Sequence, residues 1–549
     1  MIKIAIAQCN FLIGDFEYNT TRILEGIRNA THEGADLIVF PELALTGYPV
    51  GDLLEYEDFI SKCEFFIKEI AVACTEIAAI IGSPSRNRTG RGKPLYNSAW
   101  FLNHGKVEYI ANKSLLPNYD IFDEYRFFEP SHGFGYVDYK GYRLALTICE
   151  DIWNTAEIPM YSFSPLEEVS TINPDIIINI SASPFNYNQS VIRKQVLRAD
   201  TLKYGKPIVY VNHVGAQAQL IFDGNSMVCD AGGNIRDELA CFEEDIRVVE
   251  IRDDYFNTIQ SEEPQHSTDQ SGISLIHDAL ILGIKDYFRK MGFQKAILGL
   301  SGGIDSAVTM VLAAKALGAK NVKGVLLPSA FSSDHSINDA KQLALNLGCP
   351  VEMIRINDAV AAIEDTLKPF FKGLPFDVTE ENIQARTRAV LLMAMSNKFG
   401  YILLNTSNKS EAAVGYGTLY GDMCGGISVL GDVYKTDVYK LADYINRQKE
   451  IIPVNTIVKP PSAELHPGQK DSDSLPDYDL LDQILYLYIE MHHSADDITK
   501  MGFDDKIVQR VIKMVNRNEW KRAQAPPTLR ISPKAFGSGR RMPLVAKYL

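Results

Sequence analysis

The 549-residue sequence lacks several features that mark specialised classes of protein. No apolar run reaches the roughly 18 residues that a membrane-spanning helix needs. None of the eight cysteines belongs to a Cys-x-x-Cys pair, so the sequence indicates neither a zinc site nor a disulfide framework. It contains no internal repeat or low-complexity tract. At 46% hydrophobic and 23% charged residues, the composition is that of a soluble globular protein with ample material for buried cores.

An excess of positive charge is also missing. The sequence has 55 Lys and Arg against 69 Asp and Glu, a formal net charge of −14. Nucleic acids and anionic membranes are bound through basic surfaces, so we expect neither partner. The short apolar stretch at the N-terminus predicts a first β-strand and is too short for a signal peptide. Together with the scattered cysteines, this pattern predicts a reduced, cytoplasmic protein.

The length and the pattern of buried strands predict two α/β domains. Short apolar strands and amphipathic helices alternate over residues 1–255, and the polar, strand-free stretch 256–272 is the predicted linker. From residue 273 to 549, further strands alternate with helices, which predicts a doubly wound domain with a parallel sheet. The Pro-, Asp- and Ser-rich stretch Pro460–Tyr478 predicts a long loop of the kind that often covers a binding site.

A Gly-rich segment between a predicted strand and a predicted helix is the sharpest motif. Gly302 and Gly303 allow backbone N–H groups to approach an anion, and the helix that follows adds a positive dipole end. Asp305 would repel phosphate directly but could hold a Mg²⁺ that neutralises it. The segment lacks the Walker A pattern and could be an ordinary turn. It resembles the pyrophosphate loop of the ATP pyrophosphatases, which implies ATP binding by Gly299, Ser301, Gly302, Gly303, Asp305 and Ser306.

Four later segments, in this order, resemble the NAD synthetases: Asn382–Arg388, Asn405–Glu411, Tyr420–Gly426 and Gly431–Thr436. The resemblance implies that Asn382, Arg386, Glu411 and Asp422 bind deamido-NAD. It further implies that Thr406 and Lys435 bind ATP, and that Asp305 and Glu411 hold Mg²⁺. Taken singly, several of these residues are typical of solvated loops and helix surfaces.

The first half carries a candidate nucleophile. Cys149 ends a predicted strand, and a nucleophilic thiol needs a base and a cation, for which Glu42 and Lys113 are available. With their flanking sequence, these residues resemble the Glu–Lys–Cys triad of the nitrilase, or carbon–nitrogen hydrolase, superfamily. The resemblance implies that Glu124 positions Lys113 during catalysis. It places the glutamine pocket at Tyr48, Tyr119, Glu150 and Ser183. It leaves open which residue recognises the glutamine α-carboxylate.

Taken together, the two halves resemble the glutamine-dependent NAD synthetases over essentially the whole chain. This resemblance implies an αββα sandwich in the first half and a doubly wound parallel-sheet adenine-nucleotide-binding domain in the second. It implies glutamine, ATP and deamido-NAD as substrates, Mg²⁺ as cofactor and a homo-oligomeric protein.

Two other functions stay open at this point. In one, a nitrilase-type amidase is regulated by an ATP-sensing domain. The number of residues that match a second-substrate pocket argues against this function. In the other, the protein is a ligase that uses free ammonia and keeps the first half for structure. The complete set of Glu42, Lys113 and Cys149 argues against this function.

Overall fold

The computed structural model describes residues 1–155, 159–257 and 272–547. The chain divides into two units, Met1–Asp269 and Gln270–Leu549. The predicted linker 256–272 falls mostly outside the described residues, so the domain limits 1–255 and 273–549 stay predictions. In the part of the chain that is described, no helix combines the length and the apolar character needed to cross a membrane.

Strands and helices alternate along the N-terminal unit. Its helices are α1 (Phe16–His32), α2 (Glu57–Ala73), α3 (Pro165–Thr171) and α4 (Gln189–Tyr204). Its strands are β1 (Ile2–Gln8), β2 (Leu37–Val39), β3 (Ala78–Arg86), β4 (Leu95–Asn103), β5 (Lys106–Asn112), β6 (Tyr136–Tyr139), β7 (Tyr142–Ile148), β8 (Ile176–Ser181), β9 (Ile208–Asn212), β10 (Val214–Gln217), β11 (Leu220–Asp223), β12 (Met227–Cys229), β13 (Ile235–Glu238) and β14 (Asp245–Ile251).

Two sheets stack face to face in this unit. One has the order β14-β1-β2-β3-β4-β5 and the other β13-β12-β9-β8-β7-β6. Side chains alternate along each strand, so Ile4 and Ile6 of β1 enter a core that also contains Ile178 of β8. The opposite face of the first sheet packs against α1 and α2, and that of the second against α3 and α4. This arrangement confirms the αββα sandwich.

The C-terminal unit is built on a parallel sheet. Its strands are β15 (Ala296–Gly299), β16 (Val322–Leu326), β17 (Val351–Met353), β18 (Ile402–Asn405) and β19 (Ile427–Ser428). Its helices are α5 (Gly272–Met291), α6 (Ile304–Leu317), α7 (Asp334–Leu347), α8 (Asn357–Phe371), α9 (Val378–Phe399), α10 (Lys409–Val414), α11 (Lys435–Asn446), α12 (Val454–Val458), α13 (Tyr478–Ile489), α14 (Ala495–Lys500), α15 (Asp505–Arg517) and α16 (Glu519–Arg522).

The strand order β17-β16-β15-β18-β19 confirms a doubly wound sheet. Chain order reverses between β15 and β18, and ligands of such sheets bind at the carboxyl ends of the strands beside that switch point. The predicted phosphate loop follows β15, and the segment with Thr406 and Glu411 follows β18. The fold therefore brings these two motifs to the same edge of the sheet.

A buried lysine anchors the short helix α10 beside this edge. Lys409 is fully buried, and its Nζ donates to Glu490 Oε1 at 2.7 Å and to Ser532 Oγ at 2.7 Å. It also forms an ion pair with Asp432 at 2.9 Å. These contacts fix the first turn of α10 and thereby the position of Glu411.

Candidate active sites

Glu42 lies in the turn after β2 and is held from three sides. Its carboxylate accepts hydrogen bonds from Asn97 Nδ2 at 2.7 Å and from the Ala182 N–H at 2.9 Å. The turn packs so tightly on β3 that a Cβ at Gly82 would lie 2.2 Å from the Leu43 backbone nitrogen. This side chain is therefore fixed before any ligand arrives.

The ammonium group of Lys113 links Glu42 to Glu124. Nζ lies 2.7 Å from Glu42 Oε1 and 2.9 and 2.8 Å from the two oxygens of Glu124. Burial disfavours the charge on Lys113, but the two carboxylates outweigh this effect and raise its pKa. Tyr48 donates its hydroxyl to Glu124 Oε1 at 3.0 Å. Lys113 thus stays a cation, in contact with the predicted base.

Cys149 occupies a strained turn directly after β7. Its φ of 44° lies in the left-handed region, which is uncommon for a non-glycine residue. The Asp151 carboxylate accepts from the N–H groups of Ile148 at 3.0 Å, Ser114 at 3.0 Å and Leu115 at 2.9 Å. It therefore joins the cysteine turn to the segment that carries Lys113.

The Cys149 side chain is a protonated thiol rather than a thiolate at neutral pH. Burial raises its pKa well above the ordinary value, and the negative charge of Glu42 adds to the effect. Since the thiolate is the nucleophile, a base must take the proton as the thiol attacks. Among the neighbouring charges, that of Glu42 raises this pKa most, and a carboxylate so placed suits that role.

The predicted pocket residues lie around this turn. Glu150 follows the cysteine and accepts from Tyr119 Oη at 2.9 Å. Ser183 follows β8, and its Oγ accepts from Gln189 Nε2 and from Arg193 Nη2, each at 3.4 Å. Arg193 was not predicted from the sequence because it sits within the otherwise ordinary helix α4.

In the C-terminal unit, a cavity of about 310 Å³ opens at the carboxyl edge of the sheet. The predicted ATP residues that line it are Gly299, Ser301, Gly303, Asp305, Ser306, Thr406 and Lys435. Lys459 also lines it, together with Pro460 to Leu465, which belong to the stretch expected to cover a binding site. Of the residues predicted to bind deamido-NAD, Glu411 and Asp422 line the same cavity.

The loop between β15 and α6 has the geometry that its glycines imply. Gly302 has a φ of 80°, and a Cβ there would lie 2.2 Å from the Ser336 carbonyl oxygen. The Gly303 N–H donates to Ser301 Oγ at 3.1 Å, and the hydroxyls of Ser301 and Ser306 lie 3.1 Å apart. Hydroxyl and backbone donors thus gather at the N-terminus of α6, as an anion site requires.

Two carboxylates and one lysine meet in the cavity wall. Lys435 Nζ lies 2.5 Å from Asp305 Oδ2 and 3.4 Å from Glu411 Oε1. Burial raises the pKa of Glu411 to about 8, with Lys435 opposing the shift and Asp305 adding to it. With both carboxylates ionised and the lysine protonated, the group has a net charge of −1. A bound divalent cation would change the net charge to +1. Mg²⁺ commonly takes one or two carboxylates together with substrate phosphates, so these residues fit it.

The two arginines of helix α9 differ in their exposure and in their contacts. Arg386 is exposed, and its Nε donates to the Leu419 carbonyl at 3.2 Å. Arg388 lines the cavity, where its Nε donates to the Leu327 carbonyl at 3.0 Å. Asn382 accepts from Thr418 Oγ1 at 2.6 Å and, like Arg386, is not among the cavity-lining residues. The sequence resemblance alone did not single out Arg388.

Comparison with known proteins matches each half of the chain to a family. Residues 3–259 match the carbon-nitrogen hydrolase family model, and residues 276–525 match the NAD synthase model. The glutamine-dependent NAD(+) synthetase of Synechocystis sp. is 41% identical, covering 100% of this chain and 99% of the relative. The enzyme of the same name from Thermotoga maritima is also 41% identical, again over 100% of this chain and 99% of its own length.

The chain belongs to the glutamine-dependent NAD(+) synthetases.

Solved structures of this family agree with that assignment. The glutamine-dependent NAD+ synthetase from Acinetobacter baumannii, in complex with adenosine diphosphate, is 38% identical with a TM-score of 0.77. The alignment covers 100% of this chain and 99% of that structure. A glutamine-dependent NAD(+) synthetase from Cytophaga hutchinsonii gives a TM-score of 0.83 at 22% identity, over 100% and 98% of the two chains, which supports the fold alone.

The two sites lie in halves of the chain that match different families, so we expect different chemistry at each site. The Glu42–Lys113–Cys149 cluster lies in the carbon-nitrogen hydrolase half, and the cavity lies in the NAD synthase half. Asn97, which donates to Glu42, and Asn408, which donates to Asp305 Oδ1 at 2.8 Å, were not predicted. Single buried amides lack a sequence signal of their own, since only tertiary contacts give them a role.

Proposed function

We propose that this glutamine-dependent NAD(+) synthetase converts deamido-NAD to NAD with ATP, using ammonia that it releases from glutamine. The Glu42–Lys113–Cys149 cluster carries the proposal, because Lys113 lies 2.7 Å from Glu42 and Asp151 joins the strained cysteine turn to the segment after Lys113. A sequence kept only for structure would not need a buried cation, a base and a nucleophile together. The full-length similarity to synthetases of this name adds support.

At the first site, Cys149 Sγ attacks the side-chain amide carbon of glutamine while Glu42 takes the thiol proton. Lys113 stabilises the oxyanion of the tetrahedral intermediate. Glu42 then passes the proton to the leaving nitrogen, so that ammonia departs and a γ-glutamyl thioester remains. Water hydrolyses the thioester to glutamate and frees the thiol. Tyr48, Tyr119, Glu150 and Ser183 form the glutamine pocket in this proposal, and Glu124 positions Lys113.

At the second site, the nicotinic acid carboxylate of deamido-NAD attacks the α-phosphorus of ATP, and pyrophosphate leaves. Ammonia attacks the adenylated carboxyl carbon, and AMP leaves to give NAD. A free carboxylate is unreactive towards amines, so adenylation supplies the leaving group. Gly299, Ser301, Gly302, Gly303, Ser306, Thr406 and Lys435 bind ATP in this proposal, and Asn382, Arg386, Glu411 and Asp422 bind deamido-NAD.

Mg²⁺ is the proposed metal of the second site, held by Asp305 and Glu411. When bound, it neutralises phosphate charge in the transition state. Lys435 already contacts both carboxylates and would turn towards the phosphates once the metal compensates them. Omission of Mg²⁺ should stop pyrophosphate release, and activity unchanged in a chelator would remove the metal from the proposal.

A homo-oligomer in the cytoplasm completes the proposal. The segment from α8 into α9 exposes large apolar side chains, among them Phe370 and Leu374, each 75% exposed, and Val378, 62% exposed. Apolar groups exposed together favour association with another surface. The Cys149 thiol must stay reduced to attack, which requires a reducing compartment. Light scattering of the purified chain would give the oligomeric state directly.

The direct test is pyrophosphate release and NAD formation by the purified protein. We expect both to require ATP and deamido-NAD together, with either glutamine or ammonium as nitrogen donor. An amidase regulated by an ATP-sensing domain would hydrolyse glutamine without forming NAD. A ligase restricted to ammonia would form NAD from ammonium alone.

A further inference from the structure

The carboxylate of Glu150 is held on one side by two phenols. Tyr119 Oη lies 2.9 Å and Tyr161 Oη 3.0 Å from the same oxygen, Oε1. The second oxygen, Oε2, accepts no hydrogen bond from any residue in the described ranges. The two donors therefore fix the carboxylate and leave one oxygen available to a ligand.

Tyr161 reaches this position because its backbone is fixed by Asn154. Asn154 Nδ2 donates to the carbonyls of Tyr161 at 3.0 Å and Phe163 at 2.9 Å. The Tyr161 N–H donates in turn to Asn154 Oδ1 at 3.2 Å. Asn154 itself follows the turn that carries Cys149. The contact between Tyr161 and Glu150 is thus built from the same short stretch of chain as the nucleophile.

The charges of the group suit a cationic ligand. Burial raises the pKa values of Tyr119 and Tyr161, so both phenols remain neutral donors. Burial also raises the pKa of Glu150, and the two phenolic hydrogen bonds act in the opposite direction by stabilising the carboxylate. A buried carboxylate with one saturated and one free oxygen would pair well with a compact ammonium group.

We propose that Tyr161 is a positioning residue that gives the first site its selectivity for amides with an α-ammonium group. Together with Tyr119, it directs Glu150 Oε2 towards that group of the substrate. The inference rests on the proposed hydrolysis of glutamine and goes beyond it by naming a residue that sets the choice between substrates. The neutral Tyr161 hydroxyl does not touch the substrate in this account.

The test compares glutamine with glutaramic acid, the same amide without the α-amino group. Tyr161→Phe keeps the ring and removes only the hydroxyl donor. We expect kcat/KM for ammonia release from glutamine to fall about tenfold, mainly through KM, because a hydrogen bond to a charged group is lost. The rate with glutaramic acid should stay near that of the wild type, so the preference for glutamine falls by the same factor.

Two further variants make the outcome decisive. Glu150→Gln should abolish the preference, and Tyr56→Phe, which removes a hydroxyl from a residue that is 62% exposed, should leave it unchanged. If Tyr161→Phe folds poorly, Asn154→Ala provides a second way to displace the Tyr161 hydroxyl, with the same expected loss of preference.

Three results would overturn the inference or its basis, and they differ from one another. An unchanged preference in Tyr161→Phe, with the preference lost in Glu150→Gln, would remove the role of Tyr161 and keep the proposed function. Equal losses with both substrates would assign Tyr161 a purely structural role. If the wild type released no ammonia from glutamine under turnover conditions, the proposed function itself would fail.

Discussion

The Lys113 ammonium shows what a single residue contributes to the first site. It is fully buried and contacts carboxylate oxygens of Glu42 and Glu124 at 2.7–2.9 Å. Its charge is therefore available in a place without bulk water, where an electrostatic contact to an oxyanion is strongest. The surrounding carboxylates keep it protonated and positioned before glutamine binds.

Lys113→Met should reduce ammonia release from glutamine by a factor on the order of 10²–10³, the usual effect of losing one oxyanion donor. Methionine keeps much of the aliphatic volume and lacks the charge. The exposed Lys106, whose side chain is 69% accessible on the same strand region, provides a matched Lys→Met control that should retain full activity. Retained NAD synthesis from ammonium would show that Lys113→Met is folded, and a wild-type rate with glutamine would contradict the assignment.

Much of this site was accessible from the sequence, although its contacts were not. Glu42, Lys113 and Cys149 were named from residue chemistry and family resemblance, and the structure brings Glu42 and Lys113 to 2.7 Å. Asn97 and Tyr161 could not be predicted, because an amide or a phenol gains its role only from a distant partner. Arg388 was likewise indistinguishable from Arg386 until the rotation of α9 about its axis was known.

At the scale of elements, a strand could be predicted from the sequence where a continuous apolar stretch marks it. The first strand, predicted at the N-terminus, is present as Ile2–Gln8, where a short apolar stretch marks it. The predicted strands do not include β5 and β14, of seven residues each, or β10–β13, of three or four residues each. Such short strands are defined by pairing with neighbours, which a local pattern does not contain.

The turn from β15 to α6 gives an element-scale prediction. Gly302→Ala would force a Cβ to within 2.2 Å of the Ser336 carbonyl at a φ of 80°. The displaced loop should reduce NAD synthesis from either nitrogen donor by roughly 100-fold, as misplacement by about 1 Å commonly does. Gly292→Ala is the matched control: its φ is 74° with nothing within 4 Å, so only backbone strain is added and the rate should persist. Equal rates in the two variants would contradict the close packing of the loop.

Helix α4 contains a buried carboxyl group whose contribution to the free energy of unfolding depends on pH. Asp200 is 2% exposed, its Oδ2 has no hydrogen-bond partner among the described residues, and burial raises its pKa to about 8. The ordinary pKa of an aspartate is near 4. Between pH 4 and pH 8, Asp200 is therefore protonated in the folded state and ionised in the unfolded chain. Between these values the free energy of unfolding contributed by Asp200 falls by about 1.4 kcal/mol per pH unit.

Asp200→Asn removes this titration and should stabilise the protein more at pH 8 than at pH 5. Thermal unfolding of wild type and variant at the two pH values measures the difference. Asp138→Asn, at a carboxylate whose side chain is 69% exposed, should show no such pH-dependent gain. A stability difference for Asp200→Asn that is the same at both pH values would mean that this carboxyl titrates normally.

At the scale of the whole molecule, two chemistries share one chain. Ammonia in neutral water is mostly ammonium, which is not nucleophilic, so a source of ammonia within the same protein is chemically useful. The N-terminal unit holds the candidate thiol and the C-terminal unit the candidate nucleotide cavity. The full-length match to synthetases of the same architecture, at 41% identity, indicates that the two activities belong together.

The measurement that tests this account most directly is NAD formation by Cys149→Ala with each nitrogen donor. The thiol acts only in amide cleavage, so synthesis from glutamine should vanish and synthesis from ammonium should continue near the wild-type rate. Cys349→Ala, at a buried cysteine of the other unit, is the control and should keep both activities. If folded Cys149→Ala lost both activities equally, or kept synthesis from glutamine, the division of labour between the two sites would be contradicted.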